Sequence, residues 1–321
     1  MKEVLLVGAG PMAISYFKVL KSLKCKVVVV GRGESSACEF LTQTDHEVRL
    51  GGLKNYIQHC DKLPKFAIIA TPVDTLAENS KLILEAGVKN VLVEKPAGID
   101  PQEVTSVHNY SLLNKANVFV AYNRRFYSSV ISAKDRILAD GGATSLRIEF
   151  SEWSERIRDS HFSTKVKSHW LYANSTHVLD MGFYIAGFPS ELHCEVSGSL
   201  DWHNAGAQFV GHGRLPNGAL FSYHADWMAA PRWMIEVMTT NGTYMFNPLE
   251  KLKFRSTKSF EVAEIDINDE VDNKFKPGLY EQTRHFLNGQ AESLLSIADH
   301  VDHMNKVYSK ILQSSNGVGN A

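Results

Sequence analysis

The chain has 321 residues, 44% apolar and 21% charged, with a formal net charge of −1. That length suffices for two domains with separate cores, and the near-neutral balance argues against nucleic acid or a membrane surface as a partner. Four cysteines (Cys25, Cys38, Cys60 and Cys194) lack the spacing of a zinc site or a disulfide framework, and no apolar run is long enough to span a bilayer.

Met1-Lys2-Glu3 runs straight into a strand and not into a signal peptide, so a cytoplasmic, reduced protein is expected. The Asn-x-Ser/Thr triplets at Asn109, Asn174 and Asn241 then carry little weight as glycosylation signals. Apolar strands are predicted at 4–7, 26–30, 66–70, 91–93 and 118–121, with a shorter one near 47–50. Helices are predicted between them at 11–23, 76–86 and 101–115. Strand and helix in alternation is the pattern of a parallel sheet, a doubly wound α/β domain over residues 1–121.

The pattern changes in residues 122–321. A helix at 129–139 ends at Gly141-Gly142, a half-buried strand follows at 144–150, and another helix covers 176–186. Strands come next at 192–200, 207–215, 219–225, 234–240 and 244–246, with Pro216-Asn217-Gly218 and Asn241-Gly242 as turns between neighbours. This second domain is α+β, an open and mostly antiparallel sheet. A terminal helix is predicted over 280–287 and again over 294–312, able to pack back on the first domain, before a small polar tail at 314–321 that is expected to be disordered. Asp299-His300 and Asp302-His303 read as a solvated helix face, and no metal is expected.

Two motifs carry chemistry. In Val4-Leu5-Leu6-Val7-Gly8-Ala9-Gly10-Pro11-Met12-Ala13, Gly8 permits a tight turn after a strand, and Gly10 lets a pyrophosphate approach the backbone at a helix N-terminus. Pro11 fits the first helical turn, and Ala13 is small enough for close helix–strand packing. Such turns also occur in methyltransferases and flavoproteins. The second strand ends in Gly31-Arg32, without the carboxylate that usually binds a ribose 2′-hydroxyl; Arg32 suits a 2′-phosphate, so NADP is favoured over NAD. Thr71-Pro72 ends a third strand at the same sheet edge. In the second motif, Glu94-Lys95-Pro96 follows the strand 91–93, and a lysine at that strand end can hydrogen-bond a substrate oxygen and stabilise alkoxide-like charge.

In order and spacing, Gly8-Ala9-Gly10, Ala70-Thr71-Pro72, Glu94-Lys95-Pro96, Asn123-Arg124-Arg125-Phe126, and His177-Val178-Leu179-Asp180 leading to Gly187-Phe188-Pro189 resemble the Gfo/Idh/MocA oxidoreductases. The resemblance implies a Rossmann domain followed by an open sheet that covers the nicotinamide on one face. The other face commonly forms the subunit interface of a homodimer or homotetramer. It implies hydride transfer between NAD(P) and a sugar, sugar derivative or nucleotide sugar, with Lys95 as the active-site lysine and His177 exchanging a proton with the substrate hydroxyl. Asp180, at i+3 from His177, orients the imidazole or supports the helix, and Asn123 lies near nicotinamide and substrate. The nucleotide set is then Gly8, Gly10, Pro11, Met12, Arg32, Thr71, Pro72, Glu94, Lys95 and Asn123, and the substrate set Asn123, Trp170, Asn174 and His177.

Two departures stand out. Many relatives carry an Asp four residues before the histidine, where this chain has Ala173, and a His after the Thr-Pro step, where it has Leu76. The polar linker 152–172, with Trp153, Arg156, Arg158 and Trp170, is expected across the cleft mouth, where it favours an acidic or nucleotide-linked sugar. Two further readings stand beside this one: a nucleotide-dependent sensor or scaffold without chemistry, which the Ala173 departure supports, and a non-redox enzyme of the same fold that uses tightly held NAD transiently.

Overall fold

Valine- and isoleucine-rich segments form β1 (Glu3–Val7), β2 (Lys26–Val30), β3 (Phe66–Ile69), β4 (Asn90–Glu94) and β5 (Asn117–Ala121), all parallel, in the spatial order β2-β1-β3-β4-β5. The centres of β1, β3 and β4 are fully buried, as strands covered on both faces must be, which is why they read as continuous apolar runs, while Val28 in β2 and Phe119 in β5 are half-buried. A short strand, Leu295–Ser296, adds antiparallel to the free edge of β5. Helices Pro11–Ser22, Leu76–Glu85 and Pro101–Leu113 connect the strands. The last starts at Asp100, whose carboxylate accepts from the Glu103 N–H at 2.8 Å while the Glu103 carboxylate accepts from the Ile99 N–H at 2.9 Å. The strand order reverses between β1 and β3, so Gly8 and Thr71 follow the two strands that flank the switch point, where open α/β sheets hold ligands.

The structure, a computed structural model, describes residues 1–314; the expected disordered tail, apart from Ser314, lies outside them. The chain divides into two units, Met1–Asn123 with Val271–Asp302, and Arg124–Glu270 with the residues from His303 on. The first is the Rossmann-like unit just described, joined by the returning segment 271–302 with its helix Leu279–Asn288.

The second unit is built on β6 (Ser145–Ser151), β7 (Glu191–Ser197), β8 (Gln208–Arg214), β9 (Leu220–Asp226), β10 (Arg232–Met238), β11 (Gly242–Phe246), β12 (Lys253–Ser256) and β13 (Ala263–Glu264). Their order is β13-β12-β11-β10-β6-β9-β8-β7, antiparallel throughout except for the parallel pair β6 and β9. Phe209, Phe221, Tyr223 and Ile235 are buried while their strand neighbours Val210, His212, Ser222 and His224 are exposed, the alternation of a sheet with one dry face. Helix Thr176–Ala186 packs on that dry face, where Gly182 permits the approach: a Cβ there would lie 2.7 Å from Ile148 Cδ1.

Several expectations are corrected. Helices Glu34–Thr44 and Gly52–His59 lie where no helix is predicted; each fully buries a single apolar residue, Phe40 and Leu53. The strand near 47–50 reduces to one bridge, Val30 to Arg49. The linker 152–172 folds into two short helices, Ser154–Arg158 and Thr164–Ser168. His300 is not solvated but fully buried, its Nε2 3.0 Å from the Pro96 carbonyl, and His303 stacks on Phe188 at 3.4 Å.

Gly8 has φ +120°, and a Cβ there would sit 2.3 Å from the Ala70 carbonyl oxygen, whereas a Cβ at Gly10 meets nothing within 4 Å. Gly8→Ala is therefore expected to lose roughly 2–4 kcal/mol of stability from strain and overpacking, and Gly10→Ala to melt at the wild-type temperature. Thermal unfolding of the two variants checks the contrast; equal losses would contradict it.

Candidate active site

At the carboxyl edge of the parallel sheet, β1 gives way to Gly8, Gly10 caps helix Pro11–Ser22 without a side-chain bond, and Pro11 occupies its first turn. The first-turn N–H groups of a helix have no intrahelical acceptor, and with open space at Gly10 they form an N-terminus suited to an anion. Met12 beside it is half-buried. Arg32 follows β2 after Gly31 and is exposed. Past β3, the Thr71 hydroxyl accepts from Thr75 (3.0 Å) and from the Asn79 amide (3.3 Å), which holds the Thr71-Pro72 turn against helix Leu76–Glu85.

Glu94 closes β4 and Lys95 follows it. The Tyr16 hydroxyl, from the buried face of the first helix, donates to Glu94 Oε1 at 2.8 Å. Burial raises the Glu94 carboxyl above the usual range, while the Tyr16 bond and the positive charges of Lys95 and Lys276 pull the other way without cancelling it. The Gln282 amide, from the returning helix, lies 3.4 Å from the Tyr16 hydroxyl. With its oxygen turned to the end of β5, it accepts from the backbone N–H groups of Tyr122 (3.2 Å) and Asn123 (3.1 Å). The Asn123 side chain, buried, donates to the Pro277 carbonyl at 2.9 Å. The returning segment thus ties together the first helix, the Glu94-Lys95 strand end and Asn123. A depression of about 330 Å³ lined by Leu63, Lys65, Gly87 and Lys89 lies at the opposite, amino end of the same strands.

In the second unit the chain enters helix Thr176–Ala186 through a π-helical turn, Leu171–Ser175. His177 is 7% exposed on its first turn. Asp180, fully buried, takes two hydrogen bonds from Arg125, Nε to Oδ2 at 2.8 Å and Nη2 to Oδ1 at 2.6 Å, with the Tyr308 hydroxyl 3.5 Å from Oδ1. Arg125 also faces the Tyr184 ring at 4.7 Å. Asn174 is half-buried and donates to the Glu152 carboxylate at 3.0 and 3.2 Å; Ser175 donates to Glu152 Oε1 at 2.6 Å. Trp170 is buried against Phe162 and Trp202, whereas Trp153 is exposed.

Lys95 therefore belongs to the first unit and His177, Asp180, Asn174 and Trp170 to the second. Tyr16, Gln282, Lys276, Arg125 and Glu152 were not marked by the sequence reading as site residues. Tyr16 and Gln282 sit on apolar helix stripes where a polar group reads as filler. Glu152, directly after an alternating strand, was the one with a usable signal. Among the described residues no group of His, Cys, Asp or Glu is arranged to hold a metal ion, and no helix is long and apolar enough to cross a membrane.

No protein-family model and no curated protein matches the sequence. Solved structures share its fold. One is levoglucosan dehydrogenase in complex with NADH and levoglucosan, with a TM-score of 0.74 at 20% identity, covering 96% of this chain and 97% of that one. Another is an oxidoreductase from Agrobacterium radiobacter in complex with NAD+, L-tartaric acid and magnesium (TM-score 0.75, 14% identity, 94% and 93% covered). A third is UDP-N-acetylglucosamine 3-dehydrogenase from Acidithiobacillus ferrooxidans (TM-score 0.70, 13% identity, 97% and 99% covered). The fold is thus one found in NAD-binding oxidoreductases.

Asp180→Asn leaves Arg125 buried without its counter-charge and is expected to destabilise the protein by about 3–5 kcal/mol, while Arg125→Met with Asp180→Leu recovers most of the loss. Urea unfolding of the single and double variants checks this; an additive double variant would contradict it. Glu94 holds its proton more tightly folded than unfolded, so its contribution to stability is greatest below the ordinary carboxylate range and is lost as pH rises through its folded pKa. Glu94→Gln is accordingly expected to gain stability over wild type as pH rises from about 4 to about 8. Parallel stability curves across that range would show that burial does not dominate at Glu94.

Proposed function

We propose that this chain is a nicotinamide-dependent oxidoreductase of the Gfo/Idh/MocA type, moving a hydride between NAD(P) and a sugar, a sugar derivative or a nucleotide sugar. The observation that carries the reading lies at the carboxyl edge of one parallel sheet. A helix N-terminus with open space at Gly10, after β1, accompanies a lysine at the end of β4, with β3 between the two strands. Two proteins that share the fold, levoglucosan dehydrogenase and UDP-N-acetylglucosamine 3-dehydrogenase, support a sugar as substrate.

The residues fit the cofactor. Gly8, Gly10, Pro11 and Met12 would hold the pyrophosphate at the helix N-terminus. Arg32, exposed and without a carboxylate in its place, would contact a 2′-phosphate, which favours NADP. Thr71, Pro72, Glu94 and Asn123 would border the nicotinamide riboside. When bound, the cofactor supplies a hydride acceptor or donor at C4 of its ring. Lys95 donates a hydrogen bond to the substrate oxygen and stabilises the negative charge that grows on it. His177 takes or returns the hydroxyl proton. Asp180 acts through the helix that carries His177, as the buried partner of Arg125. Asn123, Trp170 and Asn174 complete the substrate side.

The test is oxidation of a panel of sugars and nucleotide sugars with NAD+ and with NADP+. Lys95→Ala and His177→Ala are expected to lower kcat by roughly 10²–10³-fold while NADH and NADPH still bind. Unchanged turnover in Lys95→Ala would overturn the assignment, and ligand-dependent signalling without turnover would favour a sensor.

A further inference from the structure

Glu152 is 5% exposed, at the end of β6, and it is used by none of the steps above. Its oxygens accept from the Asn174 amide nitrogen at 3.0 and 3.2 Å and from the Ser175 hydroxyl at 2.6 Å. A carboxylate in this role accepts only, whereas an amide has one donating and one accepting end of nearly equal size. The carboxylate therefore decides which way the Asn174 amide faces: nitrogen toward Glu152, oxygen away. The reversed amide would set its oxygen against a buried carboxylate, an acceptor against an acceptor, at a cost on the scale of a lost charged hydrogen bond.

We propose, resting on the sugar-oxidoreductase reading, that Glu152 is a positioning residue that makes Asn174 a hydrogen-bond acceptor toward substrate. The position that Asn174 reads would then have to donate, as a free hydroxyl or an amide N–H does. A carbonyl or an ether at that position is refused, because it would face a second acceptor. Asn174 lies three residues before His177, and Ser175, the second donor to Glu152, begins the approach to the same helix. One carboxylate thus holds both the specificity contact and the entry to the helix of the proton-transfer residue.

The test uses a charge exchange. In Glu152→Gln the amide oxygen stays at Oε1 for Ser175 and keeps the nearer Asn174 contact, while a nitrogen replaces Oε2 at 3.2 Å from the Asn174 nitrogen, which weakens the hold on the Asn174 amide and favours its reversal, with a donor facing outward. Adding Asn174→Asp restores an acceptor there, held by the Gln nitrogen, while Asn174→Asp alone sets two carboxylates together. With the sugar that the wild type turns over best, Glu152→Gln is expected to raise KM about tenfold with kcat within about twofold, and the double variant to return KM to near the wild-type value. A double variant no better than Glu152→Gln would overturn the proposal and leave Glu152 a packing residue. A second readout needs no substrate: exchange of the Asn174 side-chain amide protons followed by 15N NMR, the signal assigned by its loss in Asn174→Asp. Exchange is expected to accelerate about tenfold in Glu152→Gln, and equal exchange in the two proteins would overturn the fixed orientation. If the wild type oxidises no sugar, the functional reading fails by itself, and the amide exchange alone decides for or against the orientation.

Discussion

The second unit depends on the buried pair between Arg125 and Asp180. Arg125 leaves the first turn after the Rossmann-like strands, and Asp180 faces it from the middle of the helix that His177 begins, with Tyr308 of the terminal segment against the same carboxylate. A buried ion pair adds little net stability compared with an apolar pair of the same volume, because both charges give up water. Its effect is one of position: a two-pronged bond between a planar guanidinium and a carboxylate admits one arrangement. Three segments distant in sequence are held in register, and with them the rotation of the helix that presents His177. The close approach of that helix at Gly182 to Ile148 sets its height over the sheet. The pair sets its turn.

The first unit uses polar groups in a comparable way, with a different balance. Tyr16, Glu94 and Gln282 link the first helix, the strand end before Lys95 and the backbone at Asn123. Glu94 is kept there against the penalty of burying a carboxylate, with Lys95 and Lys276 supplying only part of the compensation. A group that destabilises the folded chain at neutral pH and adjoins the proposed catalytic lysine fits a protein that gives up stability at a working site. His300, bonded to the Pro96 carbonyl, adds another tie from the returning segment to the same turn.

Much of this was legible in the sequence, and the reasons are physical. Strands buried on both faces leave unbroken runs such as Val4-Leu5-Leu6-Val7, and the period of two in β8 and β9 marks a sheet with one wet face. The turns at Asn217-Gly218 and Asn241-Gly242 fixed which strands are neighbours. What remained hidden depends on contacts between residues far apart in sequence. The pairing of Arg125 with Asp180 spans 55 residues and that of Tyr16 with Gln282 spans 266, and no local pattern reports either. His300 looked solvated because its neighbours Asp299 and Asp302 are polar, yet it points into the unit while they do not. Helix Glu34–Thr44 buries only Phe40 and carries a weak stripe, whereas Gly52–His59 sets Leu53, Tyr56 and Ile57 on one face in a segment shorter than the window over which periodicity is read.

The central claim is that the helix N-terminus at Gly10 receives a nicotinamide dinucleotide. It is tested most directly by titrating the protein, first cleared of any copurified nucleotide, with NADPH and with NADH and following the fluorescence of the reduced nicotinamide. Saturable binding is expected, tighter for NADPH through Arg32. Failure of both nucleotides to bind would contradict it.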